Sequence, residues 1–106
     1  MTYLDTLADE IRGAVAADAL PGEDTSNLFR IYAVLLLAKG QEVTREDVHN
    51  AWVAWMLDKG QSHESMIPFA TLPTETKDED SPFVLAIRTV AQRHALSDGA
   101  PPSISS

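Results

Sequence analysis

A chain of 106 residues, 44% hydrophobic and 23% charged, has the make-up of one globular domain rather than a disordered segment. It contains no cysteine, which excludes a disulfide framework, a thiolate metal site and a cysteine nucleophile. Its formal net charge of -8, with the few Lys and Arg residues scattered from Arg12 to Arg93, disfavours binding to a nucleic-acid backbone or to an anionic membrane surface.

The first helix is expected over roughly Tyr3 to Ala17. Thr2 is a good N-cap, Asp5 adds an acidic group to the first turn, and Leu4, Leu7, Ala8, Ile11, Ala14 and Val15 recur at helical spacing. Pro21-Gly22 marks a turn. Thr25 or Asp24 then caps a second helix that runs to Lys39, with Gly40 at its C-terminal stop. Apolar residues from Leu28 to Leu37 cover most of its circumference, which predicts a central helix with neighbours on several sides.

Thr44 opens a third helix, and Asp47 three residues on resembles the second half of a capping box. Val48, Ala51, Trp52, Trp55 and Met56 share one face of this helix. His49 borders that face, Val53 and Leu57 widen it, and Gly60 ends the helix. From Gln61 to Lys77 the apolar residues Met66, Ile67, Phe69 and Leu72 are interrupted by Pro68 and Pro73, so this segment is expected to cross the core as an irregular run with one short turn. Ser81 and Pro82 begin the last helix, with a start near Thr76 as an alternative, and Phe83, Ile87, Val90 and Ala91 form its buried stripe.

The expected architecture is therefore all-α: a compact four-helix single domain over residues 1–96 with a proline-broken crossing between the third and fourth helices. Residues 97–106, polar and rich in Pro and Ser, are expected to be a disordered tail. The longest apolar run, Ile31 to Ala38, is far short of the ~20 residues of a membrane span. The N-terminus lacks the basic-then-apolar layout of a signal peptide, and a cytoplasmic location is the expectation.

The stretch from Asp47 to Ala91 resembles the RyR domain, the repeat first described in ryanodine receptors. The likeness rests on His49 and Trp52, on His63, on Met66-Ile67-Pro68-Phe69 followed by Leu72-Pro73, and on Asp80 ahead of the last helix. One difference is Gly60-Gln61, where such repeats often carry Gly-Trp. The whole chain is also similar to a family of small uncharacterised actinobacterial and actinophage proteins. That likeness rests on Tyr3-Leu4-Asp5, on Leu28 to Gly40 and on Asp47 to Trp55. The RyR resemblance implies a module that holds a small anionic or nucleotide-like ligand partly by aromatic stacking.

The candidate ligand site is His49, Trp52, His63 and Asp80, with Lys59 or Arg88 supplying a cation. Trp52 would offer a flat apolar face and the imidazoles hydrogen bonds. In the plainer reading of the same residues, Trp52 and Trp55 are core, and His49 bonds a loop carbonyl to fix the crossing from Gln61 to Leu72. The three histidines lack metal-ligand spacing, so no metal and no cofactor is expected. No Ser-His-Asp arrangement or phosphate loop is present, and the expectation is a non-enzymatic protein that binds a small ligand or a protein partner. The alternative is a self-associating unit that uses the Val53 and Leu57 side of the third helix.

Overall fold

Helix α1 (Tyr3–Ala14) begins with a full capping box: the Thr2 hydroxyl accepts from the Asp5 amide, and the Asp5 carboxylate accepts from the Thr2 amide. The computed structural model describes residues 2–20 and 24–97, without the side chains of residues 96 and 97. The helix stops at Ala14 rather than Ala17, and a single 3₁₀ turn follows at Ala17–Ala19. The turn expected at Pro21-Gly22 and the tail beyond Ser97 lie outside the described residues.

Helix α2 (Ser26–Lys39) has Thr25 at its N-cap position, but the capping oxygen comes from Asp24, which accepts from the Ser26 amide and hydroxyl at 3.0 and 2.7 Å. Thr25 is buried instead, and its hydroxyl accepts from Arg12 at 3.3 Å. Gly40 closes the helix with φ at +57°, a region that disfavours a β-carbon. Leu28, Phe29, Tyr32, Ala33 and Leu36 of α2 are buried, yet Val34 and Leu37 are half exposed. The helix is therefore covered on one broad side, not all round. Leucine content alone cannot say where the neighbours stop.

After a 3₁₀ turn at Gly40–Glu42, helix α3 (Arg45–Asp58) starts on a second complete capping box, Thr44 with Asp47. The shorter Asp reaches as Glu would. Lys39, at the end of α2, also donates to Asp47 at 2.9 Å, which staples the two helices across the turn. Burial pushes the Asp47 carboxyl up, and the hydrogen bonds from Lys39 and Thr44 outweigh it, leaving its pKa below the usual value. Thr44→Ala is expected to cost about 1 kcal/mol, read as a lower urea midpoint with an unchanged slope. The far end closes as a Schellman motif: Gly60 has φ +71°, Gly60 N–H donates to Leu57 O, and Gln61 N–H to Met56 O.

The crossing that follows is irregular, as its prolines require. It holds a 3₁₀ turn at Phe69–Thr71 and a one-turn helix α4 (Thr74–Asp78). The last helix, α5 (Ser81–Ser97), begins where expected, but the first helical carbonyl is that of Asp80, which accepts from the Phe83 and Val84 amides. The alternative start near Thr76 becomes the separate α4, because the chain turns at Glu79-Asp80 before α5 begins.

The fold is all-helical, with no strand among the described residues. The core joins Leu7 and Ile11 of α1, Phe29 and Ala33 of α2, Val48 and Trp55 of α3, and Ile87 and Val90 of α5. Each fully buried Ile or Phe contributes about 1.5–3 kcal/mol. α1 packs on both α2 and α5, and α2 on α3. This leaves the crossing to lie against α3 and the start of α5, over the one side of the core that no long helix covers. No helix among the described residues is long and apolar enough to cross a membrane.

Candidate functional site

The uncovered side of the core carries a half-open cleft of about 470 Å³. Its lining includes Tyr32 and Leu28 from α2, His49, Trp52 and Trp55 from α3, His63 and Ser65 from the crossing, and Thr76, Glu79, Asp80 and Phe83 from α4, the turn and α5. A volume of this size suits a small organic molecule.

His49, Trp52, His63 and Asp80, distant in sequence, all meet at this cleft. The His49 and Trp52 ring centroids are 5.9 Å apart, and the His63 ring stands edge-on to Trp52 at 5.4 Å. His49 is 3% exposed, and its Nε2–H donates to the Ile67 carbonyl at 2.7 Å. This bond ties the crossing to α3, so His49 is scaffold through one nitrogen. Its Nδ1 makes no hydrogen bond among the described residues. His63 is exposed, and its Nδ1 accepts from the Ser65 amide at 3.0 Å, which orients the ring.

Lys59 and Arg88 do not belong to the site. The Lys59 ammonium lies 3.6 Å from the centroid of the Trp55 ring, past the end of α3 and off the cleft lining. Arg88 points along α5 to donate to the Val43 carbonyl at 2.9 Å and borders a separate groove with Thr44 and Arg45. Lys59 lies beside the cleft, against one of its lining rings, and Arg88 borders a different groove. Among the described residues no Lys or Arg lines the cleft.

Two polar groups set its electrostatics. Burial pushes the Asp80 carboxyl up to about 6; the nearby His49 pulls it back down, Glu79 raises it further, and Arg45 lowers it. No side chain among the described residues donates a hydrogen bond to this carboxylate. Tyr32 is the second. It is 2% exposed, and its hydroxyl makes no hydrogen bond among the described residues, although buried phenols normally have a partner. Burial, and then the charge of Asp80, raises the Tyr32 pKa well above that of a free phenol, so the group is a neutral hydroxyl.

Tyr32, Glu79 and Phe83 are site residues that sequence reasoning missed. For Tyr32 a signal existed: it is the single hydroxyl in the apolar run of α2, and a buried hydroxyl needs a partner. Phe83 packs against Tyr32 with centroids 5.7 Å apart, so the cleft has one aromatic group on α2 and α5 and another on α3 and the crossing. Among the described residues no cluster of His, Asp and Glu could hold a metal ion.

One family model, described as Domain of unknown function (DUF7701), matches residues 2–92. No curated protein and no solved structure matches the chain. The match overturns the RyR resemblance: it covers the whole globule under a different family, and nothing indicates a RyR-type domain. The pieces that carried the likeness have local structural reasons. His49 holds Ile67, Trp52 packs beside His49, and the prolines break the crossing. Nor does the match bear on a phage or actinobacterial source.

Proposed function

The chain belongs to the DUF7701 family, and we propose that it is a non-catalytic domain that binds a small organic molecule in the cleft between α2, α3, the crossing and the start of α5. The observation that carries this reading is the buried Tyr32 hydroxyl, unpartnered among the described residues, beside an equally unpartnered Asp80 carboxylate in one apolar-walled cleft. Leaving the buried Tyr32 hydroxyl unsatisfied costs about 1–3 kcal/mol, a cost that a bound molecule removes. The rings of Trp52 and Phe83 supply the apolar contact that makes most of a small ligand's affinity.

The cleft favours the ring or alkyl body expected of a nucleotide-like ligand over its phosphates, which would find carboxylates and no cation. The test is a thermal-shift screen of the full chain against a broad metabolite set that includes nucleosides and nucleotides. A ligand that binds only the folded state raises the melting temperature, and at a hundredfold excess over its Kd the gain is about 2.7 kcal/mol. Trp52→Leu should abolish the shift while preserving the fold, since Trp52 is only partly buried. No shift with any compound at millimolar concentration would end this reading.

A second reading, self-association, is favoured by Leu57 of α3, which is 64% exposed. It competes only if light scattering finds a dimer that Leu57→Glu dissolves.

A further inference from the structure

We infer that the ligand of this cleft is an organic cation: an ammonium group, protonated or quaternary, carried on an aromatic or branched alkyl body. This rests on the ligand-binding reading above and deepens it. Four observations converge. Among the described residues the lining holds two carboxylates, Asp80 and Glu79, and no Lys or Arg. The Asp80 carboxylate takes no donor from the described residues, so it has no counter-ion in contact. The buried Tyr32 hydroxyl has acceptor lone pairs to give, and its neighbour Phe83 is aromatic. Trp52, the best ring for a cation, shows part of its surface to the same space.

An ammonium in this place would meet a carboxylate on one side and ring faces on others. That combination binds a cation well when water is partly excluded. An anion would meet two carboxylates instead. A neutral alcohol of the same shape would gain the apolar contact and a hydrogen bond but no attraction between charges.

The groups around Asp80 set the pH response. His49 and Arg45 face it from α3, Tyr32 from α2, Glu79 from the turn, and His63 lies on the same cleft from the crossing. Raising the pH ionises Asp80, which makes the cleft more negative, so ammonium binding should strengthen as the pH rises towards neutrality.

The experiment compares four probes on the full chain by proton–nitrogen correlation spectra, following the Trp52 indole and the Asp80 and Phe83 amides. The probes are phenethylamine, its neutral counterpart phenylethanol, the anion phenylacetate, and choline. The expected result is that phenethylamine or choline shifts these signals with an affinity at least about tenfold above that of phenylethanol, with phenylacetate weakest. Asp80→Asn should remove about tenfold of the preference for phenethylamine over phenylethanol, and Asp80→Glu should restore most of it. Should Asp80→Asn fail to fold, the pH dependence of phenethylamine binding to the unaltered protein decides alone.

If phenethylamine and phenylethanol bind equally, or phenylacetate binds best, the cation inference falls while the cleft remains a ligand site. If none of the four moves the cleft signals but the metabolite screen finds another cleft ligand that is neutral or anionic, the inference again falls by itself. If neither experiment finds a ligand, both readings fail.

Discussion

Replacing His49 with alanine is expected to lower folding stability by about 2–4 kcal/mol, the largest effect of any single polar substitution in this domain. The ring is buried, and its Nε2–H makes the 2.7 Å bond that fixes the Ile67 carbonyl. Removing it leaves a carbonyl without its donor and a hole beside Trp52 and Phe69, whose rings lie about 6 Å from the imidazole. Because the bond spans 18 residues, its loss also frees the crossing, so the denaturation slope should fall along with the midpoint. His49→Gln can still present an N–H to Ile67 and should recover about half of the loss. Equal destabilisation by Ala and Gln would show that ring packing, not the hydrogen bond, holds the crossing.

Asp80→Asn should have the opposite sign near neutral pH, stabilising the domain by about 1–2 kcal/mol once the solvent that still screens this half-buried group is allowed for. Burial, the leading cause, lifts the folded-state carboxyl to about 6, against about 3.9 for an aspartate in an unfolded chain. Between those values the folded state holds a proton that the unfolded state has released. Stability from this group is therefore full below about pH 4 and is lost as the pH rises through about 6. Asparagine does not ionise, so the difference between the two proteins should be small at about pH 4 and reach its maximum above about pH 6 in paired urea melts. Differencing cancels carboxylates such as Asp5, Asp24 and Asp47, whose hydrogen bonds lower their pKa values in both proteins. A difference that does not vary with pH would mean that Asp80 is not the strained group described here. The same group that weakens the fold is the one that gives the cleft its negative charge, and a bound ammonium would relieve the strain.

Local signals in the sequence were read correctly because their partners are close along the chain. Thr2 with Asp5 and Thr44 with Asp47 each form their boxes within three residues, and Gly40 and Gly60 take the positive φ that their helix ends need. The prolines at 68 and 73 broke the crossing for reasons internal to the backbone. What depended on neighbours was harder. The apolar wrap of α2 hid the fact that Val34 and Leu37 face outward, because a leucine does not encode which side has company. His49, Trp52, His63 and Asp80 line one cleft, since three of them border helix ends or faces that the crossing must meet. Lys59 and Arg88 are near these residues in sequence, and only the three-dimensional path of α3 and α5 keeps them off the lining. Tyr32 stayed hidden as one more member of an apolar stripe, although its hydroxyl is the most diagnostic atom in the cleft.

The placement of α1 against α5 has a consequence for how the protein is made. Leu7 and Ile11 emerge from the ribosome well before Ile87 and Val90, which supply part of their covering. Until then the nascent chain can pair α1 with α2 but must keep one apolar flank open, a period in which a chaperone has something to hold. Asp80 and Phe83 lie just ahead of Ile87 and Val90 in the chain. A nascent chain that has not reached them lacks the lid of its core and the acid of its cleft together, so a ligand cannot stabilise it until both are made.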